Sequence, residues 1–134
     1  MISGPGVALE NPAGVHAPAG QYSHVATVAA GSELIYFAGQ VGARADGELE
    51  HGFEAQVRRT FENLFALLEA KGLSPANLVR LNYYLTAVDQ AGELRRIRRD
   101  YLPDPAPATT ALVVQLLDPA WLFEMDAVAV RPLA

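Results

Sequence analysis

The sequence predicts an α+β domain in the order β-β-α-β-α-β-β, a mixed sheet with two helices segregated to one face. Three observations carry this. Residues 52–72, GFEAQVRRTFENLFALLEAKG, place Phe53, Val57, Phe61, Leu64 and Leu68 at helical steps. Residues 78–87, LVRLNYYLTA, alternate with a period of two. Two apolar runs, 109–117 and 121–130, close the chain after the proline-rich PDPAP. The 134 residues form a single domain over 1–134, which buries roughly two-thirds of the surface of its unfolded chain.

Taken in order, residues 23–30 (SHVATVAA) and 33–41 (ELIYFAGQV) read as two strands. Gly31-Ser32 between them is the turn signal of a hairpin. The helix over 52–72 buries its stripe and meets Gly72 where a C-terminal cap belongs. In the strand over 78–87, Val79, Leu81, Tyr83 and Leu85 share one face. Arg80, Asn82, Tyr84 and Thr86 share the other, which is wet or lines a cleft. Residues 91–102 make a shorter helix with Leu94, Ile97, Arg98 and Tyr101 on one side, ended by the prolines. In 109–117, Leu112, Val114 and Leu116 oppose Ala111, Val113 and Leu117, so both faces call for burial. Two helices cover only one face of a sheet. The second face is therefore expected to pack against other copies of the chain.

Composition limits the function. The net charge is −5 and the pI about 5.1, with RRIRR at 95–99 the only basic cluster. A nucleic-acid surface held by charge needs clustered cations, so a nucleic-acid partner is disfavoured. There is no cysteine, and His16, His24 and His51 have no ligand spacing, so no metal and no cofactor are expected. No apolar run reaches the roughly 18 residues of a membrane span, and the first residues lack the pattern of a signal peptide. A cytoplasmic protein without a membrane partner is expected. Arginine outnumbers the single lysine, Lys71, and alanine is abundant, as in GC-rich bacterial genomes.

The chemistry gathers near the end. Glu124 and Asp126 lie two apart in an apolar strand and point the same way. Glu124, between Phe123 and Met125 with Leu122 and Val128 on its own face, is partly desolvated, which raises a carboxyl pKa and suits a general acid or base. Asp126 is placed to pair with Arg131 or a backbone group.

GQYSHV, YFAGQVG, LLEAKGL, VRLNYYLT and the run LVVQLLDPAWLFEMDAVAV, in this order, resemble the RidA (YjgF) family of imine deaminases across nearly the whole chain. The resemblance implies a chorismate-mutase-like fold and a homotrimer with small-molecule clefts between subunits. It implies Glu124 as the residue that positions water, Tyr22 lining the cleft, and backbone donors at Gly39 and Ala111. Tyr84, on the polar face of its strand, is a further substrate-binding candidate. Two positions depart from the family pattern. Ala38 stands where a serine is usual. Thr109, in PATTA, stands where an arginine grips the substrate carboxylate. A hydroxyl cannot replace the planar fork of a guanidinium. Arg95 falls where the family offers an asparagine, and is either a substitute cation or one of four arginines on a solvated face countering Glu93 and Asp100.

Three functions follow. The first is a hydrolase of the imine or enamine deaminase type, acting on a substrate other than the usual 2-imino acid. The second is a non-catalytic, regulatory small-molecule binder. The third is the endoribonuclease activity attached to some relatives.

Overall fold

The computed structural model describes residues 2–102 and 106–133. Strands β4 (Glu33–Val41), β5 (Leu78–Leu85), β6 (Ala108–Val113) and β7 (Phe123–Arg131) form a sheet in the order β4-β7-β5-β6. β5 and β6 run parallel and the other neighbours antiparallel, so the sheet is mixed as expected. The parallel pair needs a crossover, which α2 (Ala91–Arg98) supplies. With α1 (Phe53–Ala70) it covers one face of the sheet.

Helix α1 buries Val57, Phe61, Leu64 and Leu68 of the predicted stripe, with Phe53 half-buried against the same core. These pack on Leu81, Tyr83 and Leu85 of β5, on Phe123 and Met125 of β7, and on Leu94 and Ile97 of α2. The helix stops where predicted: Gly72 has φ +72°, Leu73 N–H donates to Leu68 O and Gly72 N–H to Glu69 O. α2 likewise buries Leu94, Ile97 and Arg98. It ends at Arg98, before the prolines. Residues 103–105 of PDPAP lie outside the described residues.

The expected hairpin across Gly31-Ser32 is corrected. A tight turn is present, with Gly31 at φ +81° and Ser32 N–H on Ala29 O. Its two strands, however, go to different sheets. β3 (Val25–Val28) pairs with β2 (Val7–Glu10), which pairs with β1 (Ile2–Gly4), while β4 pairs with β7. β3 thus finds its partner in β2, and β4 finds its own in β7. β1 and β2 have no counterpart in the predicted order.

Val79 is corrected too. Leu78 pairs with Ala129 and Arg80 with Val128, so β5 has one residue too many there. The bulge turns Val79 away from Leu81 and into a second small core with Val7 and Val130. The last predicted strands are shorter. β6 ends at Val113, and Leu112, Val113 and Leu117 are exposed at 51%, 49% and 96%, so in one chain the expected burial of both faces is not met.

Candidate functional site

The polar groups collect in two places. One is the sheet face opposite the helices. Arg80, Asn82 and Tyr84 alternate on β5, and antiparallel register sets Asn82 beside Asp126 and Tyr84 beside Glu124. Asp126 accepts from Asn82 Nδ2 at 2.7 Å and from Tyr84 OH at 2.6 Å. Arg80 Nη2 donates to Asn82 Oδ1 at 3.0 Å and to Thr110 Oγ1 at 2.7 Å. Asp126 is thus held by β5. The expected Arg131 pairing is corrected, since that arginine bonds Glu33 instead.

Glu124 borders this network. Burial first, and then the neighbouring Asp126 carboxylate, raise its pKa above the ordinary value. The hydrogen bond to Asp126, with burial behind it, pushes the Tyr84 phenol up to about 12. Gly39 on β4 lies directly under the Glu124 carboxyl. A Cβ there would overlap Oε2 and come within 2.9 Å of Cδ. The loop ahead of Glu124 is pinned from α1. Buried Gln56 donates to Glu50 O and Ala120 O, each at 3.1 Å, and accepts from Leu122 N–H at 2.9 Å.

The second place is a cavity of about 380 Å³ at the edge of β6, lined by Tyr22, Arg95, Arg98, Thr109 and Ala111 among others. Ser23 ties the segment carrying Tyr22 to this edge, with its Oγ on Ala106 O at 3.0 Å and its N–H on Pro107 O at 3.4 Å. The Tyr22 hydroxyl accepts from Ala19 N–H at 3.3 Å. The Thr109 hydroxyl is already spent on Pro107 O, at 2.8 Å. Pro107 O points outward to Ser23, and Val114 N–H points inward to Leu85 O. The two-residue period of a strand then turns the Ala111 N–H toward the free edge, as a backbone donor requires.

The structure therefore brings Tyr22, Arg95, Thr109 and Ala111 together, and separately Gly39, Tyr84 and Glu124. It does not join the two sets within one chain. Thr109 is in register with Leu81 and Ala111 with Tyr83, both buried on the helix side, whereas Glu124 is in register with Tyr84 on the other face. The counter-charge expected of Arg95 is corrected: Asp100 pairs with Arg58 at 2.9 Å.

Two features of these sites are not evident along the chain. Asn82 and Arg80 anchor Asp126, and the signal was the polar face of residues 78–87 facing two acids. Arg98 lines the cavity, and the signal was a charge inside an apolar helical stripe. Among the described residues no group of three or more His, Cys, Asp or Glu is placed to hold a metal, and no helix is long and apolar enough to cross a membrane.

Fold and site together define a small α+β protein with a carboxylate-bearing sheet face and an arginine-lined cavity at the sheet edge. Residues 14–131 match the family described as Endoribonuclease L-PSP, and the chain belongs to this family, that of the RidA/YjgF proteins. It is 33% identical over 117 residues to a RutC family protein of Aquifex aeolicus, which covers 85% of this chain and 91% of the relative. It is 30% identical over 114 residues to 2-iminobutanoate/2-iminopropanoate deaminase of Rattus norvegicus, covering 84% of this chain and 81% of that enzyme. The crystal structure of RidA from an Antarctic Psychrobacter matches with a TM-score of 0.69 at 32% identity, over 84% of this chain and 90% of that one.

Proposed function

We propose that this chain is a hydrolase of the imine or enamine deaminase type, acting on a small molecule in clefts between subunits of a homotrimer. The observation that carries the reading is Glu124, a partly desolvated carboxyl of raised pKa set over Gly39 and beside the Asp126–Tyr84 pair. The name of the rat relative, a deaminase of 2-imino acids, supports the same chemistry. Exposed apolar groups on the sheet, Leu34 and Tyr36 on β4 and Leu112 on β6, support assembly. Contact between copies gives the sheet face of one chain a way to meet the edge cavity of the next.

In the reaction, ionised Glu124 takes a proton from water as the oxygen attacks the C=N carbon. The proton passes to nitrogen, and the carbinolamine collapses to a carbonyl and ammonia. Thr109 offers no guanidinium and its hydroxyl is engaged, so nothing at that strand position holds a substrate carboxylate.

The test is ammonia release from freshly generated imines and enamines, with and without a carboxylate. Glu124→Gln is expected to fold and assemble as the wild type does and to lose turnover by about 10² or more, the usual worth of a general acid or base. Binding without turnover in the wild type would favour the regulatory binder. RNA cleavage that survives Glu124→Gln would favour the reading in the family's description.

A further inference from the structure

The edge cavity holds a buried cation that forms no ion pair among the described residues. Arg98 is only 6% exposed, and its Nε has no hydrogen-bond partner among the described residues. Beside it the Tyr83 hydroxyl, on a residue 1% exposed, meets no well-aligned partner; burial raises its pKa and the neighbouring Arg98 guanidinium offsets part of that rise. A guanidinium taken out of water costs several kcal/mol unless an anion meets it. Three other arginines around the helices have theirs: Arg58 bonds Glu54 and Asp100, Arg59 bonds Glu50, and Arg96 bonds Glu54. Arg95 and Arg99 form no ion pair among the described residues, but both are exposed to water, as Arg98 is not. Among the described residues no carboxylate reaches Arg98, and the cavity wall carries Arg95 and Arg98 but no acid.

The surroundings keep that guanidinium accessible from the cavity. A Cβ on Gly20 would lie 2.8 Å from Arg98 Nη2, so glycine leaves the room that the guanidinium fills. The β6 edge, with the outward N–H of Ala111, lines the same cavity. A forked donor, a phenol and a backbone N–H around about 380 Å³ suit a small planar anion. Glu124 is on the other face of its own chain's sheet and reaches this cavity only from a neighbouring copy, where the Arg98 guanidinium stands between it and a bound carboxylate as counter-charge.

We infer that Arg98, reaching in from α2, is the carboxylate anchor of this cavity, and that the cavity selects small planar organic acids over their uncharged counterparts. The use of a 2-oxo acid as the probe rests on the deaminase reading above. The anchor has moved from the strand to the helix, and the absence of arginine at position 109 does not exclude an acidic substrate.

The experiment is calorimetric titration of the intact protein with 2-oxobutanoate and with its uncharged amide. Wild type should bind the acid at least about tenfold more tightly than the amide, and Arg98→Met should remove that preference, a loss of about ten- to a hundredfold for the acid. Arg98→Lys keeps a charge without the fork and should retain only part of it. Gly20→Ala keeps the arginine but pushes a methyl into its place, and should weaken the acid selectively. Arg99→Gln removes a charge from the end of the same helix, outside the cavity, and should stay within about twofold of wild type. The inference is overturned if wild type binds acid and amide alike, if inorganic phosphate competes as well as the acid, or if Arg98→Lys and Gly20→Ala both keep wild-type affinity for the acid. Acid binding through Arg98 with no ammonia from any imine would remove the deaminase reading and keep the anchor. Deamination of 2-imino acids indifferent to Arg98 would do the reverse.

Discussion

Glu124 owes its character to burial, which together with the neighbouring Asp126 carboxylate raises its pKa, and to the bare backbone of Gly39 that gives it room. Gly39→Ala should displace the carboxyl, since the added methyl overlaps it, while leaving the sheet intact. We expect turnover to fall by about tenfold or more with an unchanged circular dichroism spectrum, the cost of misplacing a proton-transfer group. The raised pKa also fixes a pH dependence. The folded chain holds the Glu124 proton more tightly than the unfolded chain, whose value is near 4.5. That contribution to stability is full below the unfolded value and is lost as pH rises through the folded one. Thermal melts from about pH 4 to pH 7 should therefore show Glu124→Gln gaining on the wild type as pH rises. A constant gap between the two would contradict the assigned shift.

At the scale of elements, the site depends on α1 holding the β6–β7 connection. Gln56 spans from the helix to Glu50, Ala120 and Leu122 and lies 2% exposed. Gln56→Leu would leave two carbonyls and one N–H without their partner. We expect a loss of about 1–3 kcal/mol in denaturant unfolding, with turnover reduced further because Glu124 follows two residues after Leu122. The helix itself was legible because five apolar residues at helical spacing and a capping glycine agree. The Gly31-Ser32 hairpin was not, because turn residues set the chain's reversal and not which strand each arm finds.

For the whole molecule, an apolar patch remains on the sheet, with Tyr36 exposed at 72%, Leu112 at 51% and Leu34 at 45%. Light scattering at micromolar concentration should give the mass of a trimer. Tyr36→Glu should shift it toward monomer and, since the clefts are proposed to lie between copies, reduce activity with it. A monodisperse wild-type monomer would remove both the assembly and the shared cleft.

The α+β class, the α1 stripe and the polar face of β5 are legible along the chain, because periodicity of two and of 3.6 is written locally in the order of residues, and the family is legible in the order of its short motifs. The same periodicity of two marks Glu124 and Asp126 as facing one way. Which face meets which is settled only in the folded chain. The bulge at Val79, the separation of β3 from β4, the bonds from Asn82 and Tyr84 to Asp126, and the division of the candidate residues between a sheet face and an edge cavity all depend on pairings between distant segments. Arg98 shows the difference most clearly. Along the chain it is a charge out of place in an apolar stripe. In the fold it is a buried cation at the wall of the cavity that Thr109 also lines, because parallel pairing of β6 with β5 carries that strand alongside α2.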